Sequence, residues 1–130
     1  MTEAALLNTV RAHGMRVSTA RRGVLARLLR ASAPLTAEEV AGGADLASVY
    51  RNLNALEAIG VVRHVHLGHG PSRYALSGRS GGWLTCEVCG RWTPLSGQAL
   101  NRLRTAVLTV ARFDARFDQV AIVGRCADCI

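Results

Sequence analysis

Four cysteines carry the most specific chemistry in this chain. They form two pairs with the same spacing, Cys86-Glu-Val-Cys89 and Cys126-Ala-Asp-Cys129. Two such pairs supply four thiolates, the ligand set of a tetrahedral structural zinc site, and four thiolates leave no coordination position for a substrate. We therefore predict one structural zinc ion per chain. A rubredoxin-type iron site and two disulfides are the alternatives.

A polar helix face is the second candidate for chemistry. Over residues 45–59 the apolar side chains follow a helical stripe, namely Leu46, Val49, Leu53, Leu56 and Ile59. Five polar residues are predicted to project away from that stripe: Ser48, Tyr50, Arg51, Asn52 and Asn54. Arginine and asparagine on such a helix can contact guanine and adenine edges in the major groove of DNA. The alternative is an ordinary solvated face.

The elements around this helix predict a winged helix-turn-helix. Apolar periodicity and capping residues indicate helices over 2–13 and 18–31, and Thr36-Ala-Glu-Glu39 forms a capping box that opens a short third helix. Strands are predicted at 61–67 and 73–76 on either side of a turn at 68–71. We assign residues 1–78 to a DNA-binding domain and 79–82, within a Gly/Ser-rich stretch, to a hinge.

The cysteine pairs belong to a second, smaller unit, predicted to span 83–130. The 36 residues from 90 to 125 leave room for strands at 83–85, 91–93 and 117–123 and for a helix at 97–111. That helix carries Leu100, Leu103, Val107 and Val110 as its apolar stripe. A unit of about 50 residues buries little surface alone, so zinc and strand pairing across a twofold axis are expected to stabilise it. The predicted fold class is α+β.

Composition narrows the class of function. The chain of 130 residues has 16 basic residues, all arginine, against 9 acidic ones, a net charge of +7 that favours a polyanionic partner. Hydrophobic residues at 49% exclude a disordered chain, and neither a membrane-spanning run nor a signal peptide is evident, so we expect a cytoplasmic protein without a membrane partner. No catalytic constellation or phosphate-binding loop stands out, which predicts neither an enzyme nor a small-molecule substrate.

The order of motifs resembles the ferric uptake regulator (Fur) family of bacterial metal-responsive repressors over nearly the whole chain. The matching segments are GMRVSTAR (14–21), LTAEEV (35–40), SVYRNL (48–53), RY (73–74), CEVCG (86–90) and GRCADC (124–129). The resemblance implies a homodimeric winged-helix repressor with a C-terminal dimerisation domain. It implies base contacts by Ser48, Tyr50 and Arg51, a minor-groove contact by Arg16, and structural zinc on the four cysteines. Asn54 completes the predicted DNA-binding set.

The chain departs from the family pattern at the regulatory metal ligands. The usual His-rich run before the first cysteine pair is replaced by Ser80-Gly-Gly-Trp83, and Pro94, Ala75 and Ser77 stand where family members place ligands. These replacements are not competent transition-metal ligands. Asp118 stands at the position of a usual ligand histidine, and one carboxylate makes no site. The comparison with the family predicts a degenerate or altered regulatory metal site.

Three histidines of the hairpin offer a weak second metal site. His64 and His66 share one strand face, and His69 lies in the turn, so neutral imidazoles could bind zinc or copper with a fourth ligand from elsewhere. The alternative is that all three are solvated residues near phosphate.

The sequence thus predicts a transcriptional regulator of the Fur family that binds a double-stranded DNA operator as a homodimer. Two other functions stay open. One is a zinc-stapled adaptor or heterodimer partner that does not read DNA alone. The other is a thiol-redox regulator, in which an oxidant ejects zinc and releases DNA.

Overall fold

The computed structural model describes residues 1–79 and 81–130, which form two three-stranded sheets and five helices. The helices are α1 (Glu3–Ala12), α2 (Thr19–Arg30), α3 (Ala37–Ala41), α4 (Leu46–Ala58) and α5 (Gly97–Ala111). The strands are β1 (Leu35–Thr36), β2 (Val62–Val65), β3 (Arg73–Leu76), β4 (Gly82–Cys86), β5 (Trp92–Leu95) and β6 (Ile122–Gly124). The α+β class is confirmed. No helix in this described part of the chain has the length and apolar content needed to cross a membrane.

Local side-chain chemistry sets the helix boundaries. The side chain of Ser18 accepts a hydrogen bond from the N–H of Arg21 and begins α2, and Asp45 does the same for α4 through Ala47. Thr36 and Glu39 form the predicted capping box at the start of α3. After α4 the chain turns at Gly60, whose φ of 78° is easily reached only by glycine. These predicted boundaries are confirmed to within about two residues.

The first sheet completes a winged helix-turn-helix. Its order is β1-β3-β2, and all pairs are antiparallel, with Val62 opposite Leu76 and Leu35 opposite Tyr74. The helices pack on one face of this sheet around Val10, Leu25, Leu53 and Leu56, which are fully buried. The hairpin β2–β3 is confirmed, whereas β1 was not predicted.

The second sheet has the order β5-β4-β6, in which β4 pairs antiparallel with β5 and parallel with β6. The strand predicted over 117–123 is wrong in its bounds, since regular pairing covers only Ile122–Gly124. The apolar stripe of α5 is also not buried within one chain. Leu100 is 4% exposed, but Leu103 is 41% and Val110 is 87% exposed.

A short parallel bridge joins the two units. The N–H of His66 donates to the carbonyl of Gln119 over 3.0 Å, and the N–H of Ala121 donates to the carbonyl of His66 over 2.9 Å. Beside the bridge, a buried apolar cluster combines residues of both units: Val65, Ala75, Trp83 and Ala121. Because the chain continues from Ala121 directly into β6, one segment contacts both sheets and couples their orientations.

Contacts also hold the described residues of the predicted hinge, Arg79, Gly81 and Gly82. The guanidinium of Arg79 donates to the carbonyls of Leu28, Leu29 and Ala31 at the end of α2. The N–H of Gly81 donates to the carbonyl of Leu95 over 2.7 Å, and Gly82 is already part of β4. Ser80 lies outside the described residues, and the domain division at 79–82 stays a prediction.

Candidate metal centre and DNA-reading surface

The two cysteine pairs converge on one point. The four Sγ atoms all lie within 4.8 Å of one another, and no other set of three or more metal-ligating side chains among residues 1–79 and 81–130 converges in this way. Cys89 Sγ and Cys126 Sγ are 3.7 Å apart. Tetrahedral zinc with bonds of about 2.3 Å places its sulfur ligands about 3.8 Å apart, whereas a disulfide needs about 2.05 Å. The geometry therefore fits a tetrahedral metal ion and does not fit a Cys89–Cys126 disulfide.

Backbone hydrogen bonds shape the two turns that carry these thiols. In the first turn, the N–H of Gly90 donates to the carbonyl of Cys86, and the N–H of Cys89 faces Cys86 Sγ at 3.5 Å. In the second turn, the N–H of Cys129 donates to the carbonyl of Cys126 over 2.9 Å. The parallel pairing of β4 with β6 aligns the ends of the two strands, because Cys86 lies opposite Gly124. The sheet thus brings together cysteines that are far apart in sequence.

The thiols differ in their affinity for protons. Hydrogen bonding from the backbone N–H of Cys89 lowers the pKa of Cys86 to about 6. Hydrogen bonding with the side chain of Cys126 raises the pKa of Cys129 to about 12. Because only thiolates bind zinc, metal binding must release the remaining protons from the cluster.

The outer face of α4 presents the predicted base-reading residues to solvent. Tyr50 is 39% exposed, Arg51 and Asn54 are exposed, and Ser48 is half-buried. The inner face packs in the core through Val49, Leu53 and Leu56. The structure therefore brings these four polar residues together on one helix, with their side chains free to reach a ligand.

Asn52 is an exception and corrects the sequence analysis. Its predicted outward position is wrong, since it is only 7% exposed. Its Oδ1 accepts a hydrogen bond from Nε of Arg21 over 3.1 Å, and its Nδ2 donates to the carbonyl of Ser48 over 3.1 Å. Asn52 therefore faces α2 and not the solvent. The sequence pattern missed both this contact and the role of Arg21.

The backbone of Arg16 is connected to α4 through Arg21. It precedes α2 in an exposed segment, and its carbonyl accepts a hydrogen bond of 2.6 Å from Nη1 of Arg21. Since Arg21 also contacts Asn52, the segment around Arg16 is tied to α4. The side chain of Arg21 thus joins the two segments predicted to contact DNA, namely α4 and the segment around Arg16.

The hairpin histidines are separated by the structure into two environments. His64 and His66 stack with ring centroids 5.7 Å apart, and Nδ1 of His64 contacts the carboxylate of Glu57 at the end of α4. His69 lies in the exposed turn. His64 and His66 line a cleft of about 510 Å³ beside β2 and the bridge to Gln119, and Arg63 and Asp118 also line it.

Charge in this cleft is partly balanced. Burial lowers the pKa of Arg63, and the negative charge of Asp118 acts in the opposite direction. Ser77 lines the same cleft, and Ala75 is buried in the cluster between the two units. Neither Ala75 nor Ser77 carries an imidazole or a carboxylate, so neither side chain supplies a transition-metal ligand beside this cleft.

Comparison with known proteins identifies the family. The sequence pattern of the ferric uptake regulator family matches residues 12–121. The chain belongs to the Fur family. It is 25% identical over 130 residues to the peroxide-responsive repressor PerR of Staphylococcus saprophyticus, and the alignment covers 95% of this chain and 88% of that protein.

Solved structures of Fur-family regulators share its fold. The ferric uptake regulator Fur of Helicobacter pylori superposes with a TM-score of 0.71 at 19% identity, covering 99% of this chain and 94% of that chain. A zinc uptake regulator in complex with zinc and DNA superposes with a TM-score of 0.65 at 17% identity, covering 97% and 91%. The winged-helix architecture predicted from the sequence is thereby confirmed, and the chain is a member of a family of DNA-binding, metal-binding transcription regulators.

Proposed function

We propose that this Fur-family chain is a homodimeric repressor that works in the cytoplasm on a double-stranded DNA operator. In this proposal each chain holds one structural zinc ion and has an altered regulatory metal site. The observation that carries the proposal is the outer face of α4, where Tyr50, Arg51 and Asn54 are exposed on a helix whose other face is anchored in the core. The net charge of +7 supplies the attraction for phosphate.

Each DNA-binding residue has a role that its chemistry supports. Arg51 and Asn54 offer bidentate hydrogen bonds to base edges, Tyr50 offers ring and hydroxyl contacts, and Ser48 offers a shorter hydroxyl. Arg16 carries its charge on a segment outside the helices, which suits entry into the minor groove. Together these residues would read sequence through α4 and hold the DNA through Arg16.

The proposed zinc ion stabilises the second unit. Cys86, Cys89, Cys126 and Cys129 are its proposed ligands, and the sulfur spacing supports tetrahedral coordination. Among the described residues of α5 only Leu100 is buried, so the helix contributes little core in one chain. A metal ion that joins the turns after β4 and β6 would offset this small core.

A second copy of the chain is the proposed cover for the apolar surface of this unit. Leu103, Leu108 and Val110 are exposed along α5, and Phe113 just beyond it is 64% exposed. Strand β6 is an edge strand, and its Val123 is 51% exposed. A twofold axis perpendicular to β6 would pair the two strand edges in antiparallel fashion and bury both apolar helix faces, which is the isologous contact expected of a homodimer.

We propose His64 and His66 as the first residues to examine for a regulatory metal. Their spacing on one strand face suits two imidazole ligands, and Glu57 is close enough to His64 to orient its ring. The proposed set also includes His69, which lies in the exposed turn apart from the stacked pair. Titration of the zinc-loaded protein with copper or zinc tests this set: saturable binding that is lost in a His64→Ala/His66→Ala variant supports it, and equal binding by that variant contradicts it.

The other two functions make different predictions. An adaptor that never reads DNA has no use for the exposed Tyr50 and Arg51, and its weak DNA binding would not discriminate between sequences. A thiol-redox regulator would lose zinc and operator affinity together after mild peroxide treatment. Retention of both under peroxide excludes that mechanism.

The test of the proposed function is the effect of Arg51→Ala on two duplexes, the protein's own upstream DNA and a scrambled duplex of equal length. Since a bidentate base contact contributes about 1–3 kcal/mol, affinity for the specific duplex should fall by about 5- to 150-fold, with a smaller loss on the scrambled duplex. Arg102→Ala on α5 is the control for loss of one exposed positive charge. An equal loss on both duplexes would show that Arg51 contacts only phosphate.

A further inference from the structure

The side chain of Arg21 joins three segments of the winged-helix unit. Its backbone lies in the first turn of α2, where its N–H donates to Oγ of Ser18 over 3.1 Å. Its guanidinium extends away from α2, with Nη1 donating to the carbonyl of Arg16 and Nε donating to Oδ1 of Asn52. A planar guanidinium presents its donors at fixed angles, so both acceptors are held in a defined relation.

Asn52 is fixed on both sides of its amide. The amide oxygen accepts from Arg21, and the amide nitrogen donates to the carbonyl of Ser48 one turn earlier on α4. Because the residue is only 7% exposed, water offers little replacement for either hydrogen bond. A break in the contact with Arg21 would leave a buried acceptor unsatisfied, so the contact is strongly favoured.

The segments that Arg21 connects are those that carry the proposed DNA contacts. Asn52 directly follows Arg51 and packs toward α2, while Arg51 is exposed to solvent. Arg16 contributes its carbonyl to the network and its side chain to the surface. Base-specific hydrogen bonds require donor–acceptor distances of about 2.7–3.2 Å, so a shift of α4 by even 1 Å relative to the Arg16 segment would disturb them.

We propose that Arg21 and Asn52 are positioning residues for sequence discrimination, which set the register between the recognition helix α4 and the Arg16 segment. This inference rests on the proposed DNA-reading function. Its distinctive consequence is that loss of the contact lowers the preference for the specific duplex more than it lowers affinity for DNA in general.

The neighbouring Arg22 provides a matched control. It is exposed on α2, and its Nε lies 3.8 Å from the carboxylate of Glu3, away from the network of Arg21. Arg22→Met removes the same charge as Arg21→Met but leaves the contact with Asn52 intact. A difference between the two variants therefore reports the contact and not the charge.

The experiment measures affinity for the tightest duplex that the wild-type protein selects from a random library, and for a scrambled duplex, at one salt concentration. Arg21→Met and Asn52→Leu should each lower the ratio of the two affinities by about tenfold, and the double variant should lower it no further, because the two residues act as one unit. Arg21→Lys keeps the charge but cannot span both acceptors, so it should also lower the ratio. Arg22→Met should leave the ratio within about twofold of wild type.

Three results would overturn the inference. The first is an unchanged ratio in Arg21→Met or Arg21→Lys, and the second is an equal loss of affinity on both duplexes. The third is additive effects in the double variant. Where a variant melts at a lower temperature, Arg21→Lys decides, since it retains the charge and most of the volume. A wild-type protein that does not discriminate between the duplexes refutes the proposed function itself, and the inference with it.

Discussion

Replacement of Arg79 by alanine should destabilise the protein, although the Gly/Ser-rich sequence around this residue predicts a hinge. Its Nη1 lies 3.2 Å from the carbonyl of Leu28, 2.9 Å from that of Leu29 and 2.7 Å from that of Ala31. These carbonyls lie at the C-terminal end of α2, where the regular hydrogen bonds of the helix run out, and that of Leu28 also accepts from the N–H of Ala31. Arg79 therefore caps the C-terminal end of α2, although it lies at least 48 positions later in the sequence than the carbonyls it contacts.

The expected magnitude follows from this geometry. A hydrogen bond to a charged group contributes about 1.5–3 kcal/mol, and a positive charge at a helix C-terminus contributes about 0.3–1 kcal/mol. Because Arg79 is exposed, solvent screens both effects, and we expect a total loss of about 1–2 kcal/mol. For a chain of this length, that loss corresponds to a decrease in Tm of about 4–8 °C.

Thermal and urea unfolding of the zinc-loaded protein measure this loss. Arg30→Ala is the matched control, since Arg30 is an exposed arginine in the last turn of the same helix. Arg79→Lys retains the charge and should recover only the smaller, electrostatic part of the stability. If Arg79→Ala is no more destabilising than Arg30→Ala, the three carbonyl contacts do not contribute, and the capping explanation is wrong.

Three further predictions concern the zinc site, the capping box and the dimer. Cys126→Ser should lose bound zinc and melt at a lower temperature, as metal analysis and calorimetry would show, whereas one zinc ion per chain in that variant would contradict the ligand assignment. A hydrogen bond from the N–H of Thr36 lowers the pKa of the Glu39 carboxyl in the folded protein. The charged carboxylate of Glu39 therefore stabilises the fold at pH values above its pKa in the unfolded chain. This stabilisation is lost as the pH falls through the lower pKa of the folded state. Glu39→Gln should therefore be less stable than wild type at pH 7 by under about 1 kcal/mol, because the side chain is half exposed. The unfolding curves of the two proteins should converge once the pH falls below the folded pKa of Glu39, and a constant difference at all pH values would refute this. Val110→Glu should convert a dimer to a monomer in sedimentation experiments without a change in secondary structure, and an unchanged sedimentation coefficient would argue against this interface.

Features that depend on nearby residues could be predicted from the sequence. The start of α2 follows from the side chain of Ser18, and the start of α3 follows from Thr36 and Glu39, because each contact spans three positions. The cysteine cluster could be predicted although its halves are distant, since the repeated spacing defines a ligand set with few other uses. The exposed face of α4 followed from its period, except for Asn52.

The errors arose where a distant partner decides the outcome. Asn52 is polar and lies next to exposed residues, so periodicity places it in solvent, but its partner Arg21 is 31 positions away. Strand β1 has only two residues, and its pairing with β3 cannot be recognised locally. The sequence predicts one strand over 117–123, yet residues 117–119 form a turn, Val120 bridges to His66, and pairing with β4 begins only at Ile122. The stripe of α5 predicted an apolar face correctly but could not show what covers it.

The proposed reading of DNA sequence by the α4 surface is tested most directly by the affinity of the zinc-loaded wild-type protein for its own upstream DNA and for a scrambled duplex. Both affinities should be measured over a range of salt concentrations. We expect the specific duplex to bind more tightly by a factor of about 10³ or more, and both affinities to fall steeply with salt as phosphate contacts are screened. Equal affinity for the two duplexes at every salt concentration would contradict the claim and favour the adaptor.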